Sequence, residues 1–236
     1  MMCYEHMMLR VALLFTLFIP QCLSAQDVDA LMKKLRLKMD VVNDYRATGR
    51  LKTDVSFLRV PVSRIQVLYR KPDKFRIKKD GGISLLPKGG ISVNLNALLA
   101  TGNVTAIDAG SAVLKGLAMR MIKVLPADEK SDIILSTLYI DEQKLLIRKA
   151  VTTTRENGTY EMEMDYGKYA GYGLPDRVVV TFNTKDYKLP KGITFEYDPG
   201  QKPADPKAKP ADRKGRVEIT YEAYTINPGL KDADFK

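Results

Sequence analysis

Glu161 and Glu163 are the nearest approach to a paired-carboxylate site in this 236-residue chain. They alternate with Met162 and Met164, so in a strand both carboxylates point the same way, the minimum arrangement for general acid–base work. The same alternation places them on the polar face, opposite the methionines, where acids are solvated rather than poised for chemistry. Asp128–Glu129 and Asp141–Glu142 fall in turn-forming stretches, where acids serve backbone geometry. The glycine pairs Gly81–Gly82 and Gly89–Gly90 lack phosphate-loop spacing and follow no parallel-sheet unit. His6 is the only histidine, and Cys3 and Cys22 are the only cysteines.

Those three residues lie in a segment that reads as an export signal. Arg10 supplies the positive flank, residues 11–19 are a short apolar run, and Ala25 is the small residue at a cleavage point. Residues 1–25 are therefore expected to be removed, leaving 26–236 in the periplasm. Cys22 offers a second reading, lipid attachment to its thiol, against which Pro20 and Gln21 stand where a small residue is preferred. Met1, Met2, Met7 and Met8 are alternative starts. Cleavage after Ala25 excludes Cys/His zinc sites, Ser-His-Asp triads, Cys-His dyads and disulfides from the mature chain. No catalytic residue and no metal ligand is assigned.

The apolar positions say more. On successive strands Val55, Phe57, Ile65, Val67, Tyr69, Phe75 and Ile77 share one face. That face must be covered, by helices or by an apolar guest, and the ten methionines of the chain suit varied apolar ligands. A dry packed core is the other reading of the same residues. The net charge of +10 favours anionic partners. Export leaves phospholipid headgroups and acidic proteins, and excludes nucleic acid.

Several elements must position that face. Residues 27–44 carry Val28, Leu31, Met32, Leu35, Met39 and Val42 on one stripe, which predicts an amphipathic helix capped by Asp27. From 45 the period becomes two, predicting a strand to about 58. Residues 65–70 and 75–77 then form a hairpin across the turn at Lys71–Pro72–Asp73–Lys74. Between 80 and 126 alternation is lost, and two weak helices are expected, at 94–100 and 111–122, the second interrupted by Gly116. Strands are expected at 132–140, 144–154, 159–166, 176–183, 192–197 and 217–224, with a flexible Pro/Lys-rich loop at 199–216. The fold class is α+β, mainly antiparallel β, in one domain over 26–236.

Four places resemble the periplasmic outer-membrane lipoprotein carrier and sorting family, the LolA-like fold. The N-terminal helix leads straight into the strand from Tyr45. The hairpin over residues 67–77 is similar to the family's basic-Pro-Asp/Asn-x-Phe turn, here Lys71, Pro72, Asp73, Lys74, Phe75. Residues 105–110 (TAIDAG) resemble its central segment, and residues 217–235 its last strand, Asn-Pro-Gly-Leu turn and closing Asp-x-x-Phe.

The resemblance implies an incomplete barrel of about eight to eleven strands, with the amphipathic helix and short helices over its concave apolar face. It implies a monomeric, non-enzymatic carrier that needs no cofactor. Acyl chains of lipoproteins, or another lipid, would sit among Val55, Phe57, Ile65, Val67, Tyr69, Phe75, Ile77, Leu95, Leu98 and Leu99. An inner-membrane donor and an outer-membrane acceptor would complete the path. The family's carriers tie down the lid with an arginine immediately before the hairpin proline. This chain has Lys71 there, without the planar fork of arginine, and Arg70 beside it facing the other way. The same fold also admits a sensor or interaction module with an envelope protein as partner.

Overall fold

The computed structural model describes residues 23–55, 58–59, 61–79, 104–128, 131–156, 158–183 and 214–235. One helix, α1 (Leu23–Asp40), precedes an antiparallel sheet. The strands are β1 (Asp44–Val55), β2 (Leu58–Arg59), β3 (Ser63–Arg70), β4 (Lys74–Lys79), β5 (Val104–Leu114), β6 (Leu117–Pro126), β7 (Ile133–Asp141), β8 (Leu146–Thr154), β9 (Thr159–Asp165), β10 (Arg177–Asn183) and β11 (Lys214–Ile226). Their order in the sheet is β4-β3-β1-β11-β10-β9-β8-β7-β6-β5, with the short β2 attached to β1. Neighbours in sequence pair through hairpins from β5 to β10, and the first and last strands join the two halves at β1–β11. β4 and β5 end the order without pairing to each other. The sheet is an incomplete barrel with a concave side and a convex side.

Alternation along each strand sorts residues to the two sides. The concave side carries Tyr45, Ala47 and Leu51 of β1, Ile65, Val67 and Tyr69 of β3, Met162 and Met164 of β9, Val178 and Val180 of β10, and Val217 and Ile219 of β11, all buried. Registered cross-strand rows such as Ile77–Val67–Ala47–Tyr224 run over this surface. α1 lays Val28, Leu31, Met32 and Leu35 on it, each buried, with the half-buried Met39 one turn on. Long unbranched side chains favour the helix over this stretch. It ends at Asp40, before Val41 and Val42, where a Val42 N–H to Met39 carbonyl bond closes the last turn. The expected end at 44 is thus four residues late, because β1 already begins at Asp44. Asp27 lies inside the helix rather than capping it, and its carboxylate meets Arg120 at 3.1 Å.

The expected helix at 111–122 is instead the tip of the β5–β6 hairpin. Lys115 and Gly116 both have positive φ, 50° and 79°, the two-residue turn that matches strand twist. Met119 and Ile122 are both buried, three residues apart, which imitates helical spacing. In the strand they lie on opposite sides. The expected helix at 94–100, the strand at 192–197 and most of the loop 199–216 lie outside the described residues. Glu161 and Glu163 stand on the convex side, paired with Lys149 at 2.8 Å and Lys115 at 3.1 Å.

The end of the chain is fastened to its beginning. After β11, Asn227 takes φ 54°. Its side-chain oxygen accepts from the N–H groups of Asn43 and Asp44, while its amide nitrogen donates to the Val41 carbonyl at 3.0 Å. Asn227→Ala removes all three bonds and leaves the positive φ, so a loss of about 2 kcal/mol is expected in urea unfolding. Unchanged stability would show that water replaces the side chain.

Candidate functional site

Under the second half of α1, the helix and the sheet do not meet completely. A cavity of about 50 Å³ is lined by Leu35 and Met39 of α1, Tyr45 of β1, Leu146 and Ile147 of β8, Met164 of β9, Val178 of β10, and Tyr221 and Tyr224 of β11, with Leu145, Tyr166 and the segment Gly173–Leu174–Pro175 closing one side. No acid is among the lining residues. A drug-sized ligand occupies roughly 300–1,000 Å³, so this cavity as it stands holds only a small part of an acyl chain.

Tyrosines dominate the sheet side. Tyr45 stacks obliquely on Tyr69 at 5.2 Å between ring centres, and meets Tyr224 edge-on at 5.4 Å. Tyr224 in turn packs against Tyr169 at 4.9 Å and Tyr221 at 5.0 Å. Burial pushes the Tyr45 hydroxyl well above its ordinary value, with Tyr221 and Tyr69 adding to the effect. Burial raises Tyr166, Tyr221 and Tyr224 likewise. All therefore face the cavity as neutral groups. Their polar ends are partly satisfied at the rim: the Tyr166 hydroxyl donates to the Ile147 carbonyl at 2.8 Å and that of Tyr224 to the Pro175 carbonyl at 2.7 Å. The lining is divided almost evenly between polar and apolar surface, and it offers no nucleophile with a base beside it.

The expected cavity residues divide. Ile65, Val67 and Tyr69 are buried on the concave side, and Phe75 and Ile77 are half-buried against the same core. None lines the cavity, although Tyr69 touches Tyr45, which does. Val55 lies on β1, with its side chain outside the described residues. Phe57, Leu95, Leu98 and Leu99 are also outside them. Sequence reading missed the cluster of Tyr45, Tyr166, Tyr169, Tyr221 and Tyr224. Tyr221 and Tyr224 are three apart and so fall on opposite sides of a regular strand. They face inward together because the β1–β11 register slips between Thr48 and Gly49, leaving Glu222 as the extra residue.

Polar ties hold α1 down at its ends. Near the N-terminus Arg120 of β6 bonds Asp108 of β5 at 2.6 Å and reaches Asp27 at 3.1 Å. The bond from Arg120 is the main cause holding the Asp108 carboxyl below its usual range, with the Gly110 N–H second. At the C-terminus the Lys71 ammonium donates to the Asp40 carbonyl at 2.9 Å and carboxylate at 2.8 Å, a favourable cation at a helix end. Arg70, next in the chain, points to the convex side and donates to the Leu230 carbonyl and to Asp232. Arg46, Lys74 and Arg76 join it there on Asp234, Asp232 and the Phe235 carbonyl. Adjacent residues of one hairpin thus grip the helix on one side and the C-terminal turn (Asp232–Phe235) on the other.

Lys71→Met keeps the stem and removes the charge. Asp40 is exposed and Lys71 half-buried, so about 1 kcal/mol of stability should be lost. Amide exchange in the last turn of α1 should nevertheless quicken severalfold by hydrogen-exchange mass spectrometry. Unaltered exchange would place the restraint elsewhere.

No protein-family model and no curated protein matches the chain. Solved structures do. An outer membrane lipoprotein-sorting protein domain from Vibrio parahaemolyticus aligns with 12% identity and a TM-score of 0.51, covering 90% of this chain and 97% of that one. A LolA superfamily protein from Nitrosomonas europaea aligns with 9% identity and a TM-score of 0.54, covering 89% and 97%. A DUF1329 family protein from Desulfovibrio piger gives 10% identity and 0.51, again over 89% and 97%. At these identities the likeness is one of backbone architecture over nearly the whole length of both chains, and it establishes that this chain has the LolA-like fold.

Proposed function

We propose that the chain, freed of residues 1–25, is a periplasmic, non-enzymatic carrier of acyl chains, from lipoproteins or another lipid, held between α1 and the concave side of the sheet. The observation that carries this reading is the cavity under α1, lined by methionine, leucine and tyrosine and bounded by a helix fastened mainly at its ends. The fold shared with a lipoprotein-sorting domain supports it. Each methylene taken from water contributes roughly 0.8 kcal/mol. About ten of them supply roughly 8 kcal/mol before the cost of lifting the helix, enough for carriage yet reversible. The concave residues Val55, Phe57, Ile65, Val67, Tyr69, Phe75, Ile77, Leu95, Leu98 and Leu99 would extend the seat beyond the present cavity. In this reading an inner-membrane donor loads the chain and an outer-membrane acceptor unloads it.

Native mass spectrometry of residues 26–236, purified from a periplasm without detergent, tests the proposal. A stoichiometric lipid or acylated peptide is expected, and its extraction names the cargo class. A bare mass that stays bare after incubation with lipids and acylated peptides would overturn it. The small cavity would then be a packing defect, and an envelope interaction module would be the better reading.

A further inference from the structure

The convex side of β1, β3 and β4 carries far more cations than the fold needs. At the end near the C-terminal turn they are answered: Arg70 and Lys74 sit directly opposite each other in register, and Asp232 bonds to both. At the other end the same opposition recurs without an acid that bridges it. Arg50 of β1 faces Arg64 of β3 across the register, an opposition that costs stability unless an anion relieves it. Glu222 reaches Arg50 at 2.7 Å but does not pair with Arg64. Lys78 of β4 lies two residues along and one strand over, and Lys52 one strand position beyond Arg50 on the same side. Arg64, Lys52 and Lys78 form no ion pair among the described residues. Glu218, the register partner of Lys52 on β11, is already taken by Arg177 and Arg216. Among the described residues Asp54 is the other acid at this end, exposed at the close of β1.

We propose that this patch, centred on Arg64 with Arg50, Lys52 and Lys78, is a docking surface for the anionic headgroups of a phospholipid bilayer. Asp232 shows, within the molecule, what opposed cations on this side do with a carboxylate. The occupant of the open end is an external array of anions, and a bilayer supplies one over the whole width of three strands. The patch lies on the opposite side of the sheet from α1, so docking leaves the helix free to lift. Cations near an anionic membrane surface each strengthen binding by about fivefold. The total charge of +10 adds attraction at longer range. The inference goes beyond the carrier reading and stands or falls separately from it.

Co-sedimentation of the chain with mixed phosphatidylglycerol–phosphatidylcholine vesicles and with pure phosphatidylcholine vesicles provides the test. Binding to the mixed vesicles alone is expected, lost in about 1 M salt, where the screening length is about 3 Å. The variant K52Q/R64Q/K78Q should bind on the order of 100-fold more weakly, and K52E/R64E/K78E, which adds repulsion to the lost attraction, more weakly still. The control K33E/K34E/K144E removes the same charge from exposed lysines on α1 and the β7–β8 turn, and should lose much less. Circular dichroism establishes that all three variants fold. Equal loss in the two charge-reversed variants, no loss in either, or no binding by the unaltered chain would each overturn the proposal. Binding of a fluorescent fatty acid in vesicle-free solution reads the carrier function apart. Failure there with the vesicle pattern intact refutes the carrier and leaves the docking surface.

Discussion

Replacing Gly49 with valine is expected to lower stability by about 3 kcal/mol or more. Gly49 lies in the middle of β1, between Ile65 of β3 and Tyr221 of β11. A Cβ built there meets the Thr220 carbonyl oxygen at 2.3 Å and the Tyr221 Cα at 3.1 Å. Both obstacles are backbone, held in the central ladder of the sheet, so relief requires the β1–β11 pairing to part. The close approach comes from the register slip at this point. Because that slip also turns Tyr221 and Tyr224 inward together, parting the strands would disturb the cavity as well. Gly215 makes the useful contrast. Its nearest obstacle is the buried Phe182 ring at 2.5 Å, a side chain rather than backbone, so Gly215→Ala should cost less, about 1–2 kcal/mol. For a chain of this length each kilocalorie moves the melting point by about 2–4 °C, and Gly49→Val should melt roughly 6–12 °C early. A variant within a degree or two of the unaltered chain would show that the slip relaxes at little cost.

The strands were legible wherever one side is buried and the other wet. β1 alternates Arg50, Leu51, Lys52 and Thr53 in sequence, and these are exposed and buried in turn. β9 does the same with Glu161 to Met164. The helix was legible from its stripe, and the β3–β4 hairpin from its turn. Reading failed where both sides of a strand are covered. Met119 and Ile122 are buried on opposite sides of β6, so the period of two vanished and a helix was expected instead. It failed again at the register slip, since only the partner strand reveals that residues 221 and 224 share a side. Of the seat read from the alternation, Ile65, Val67 and Tyr69 lie buried in the core beside the cavity without lining it. Space is left instead where the alternation is broken. The patch around Arg64 was hidden in the total charge, because the register brings together cations from three separate strands.

That distinction decides how the cavity should be tested. A charge at Val67 looks from sequence like the natural way to abolish lipid binding. In the fold Val67 is fully buried between Ala47 and Ile77. An unpaired carboxylate there costs about 3–5 kcal/mol, a large part of the roughly 5–15 kcal/mol that holds such a domain together. Val67→Asp should therefore lose binding by losing its fold, which says nothing of the ligand seat. Met39→Trp separates the two effects. Met39 is half-buried in the last turn of α1 and lines the cavity beside Gly173. The indole extends into space that is already open, so the change in stability should stay below about 1.5 kcal/mol. Binding of a fluorescent fatty acid should fall at least tenfold, the equivalent of about 1.4 kcal/mol, because the first methylenes lose their place beneath α1. Met39→Ala works in the opposite sense, enlarging the cavity while costing about 2 kcal/mol in urea unfolding, and should admit the fatty acid faster. A folded Met39→Trp that binds as well as the unaltered chain would move the seat away from the tyrosine cluster. The remaining concave surface beside Val67 and Tyr69 would then be the place to look.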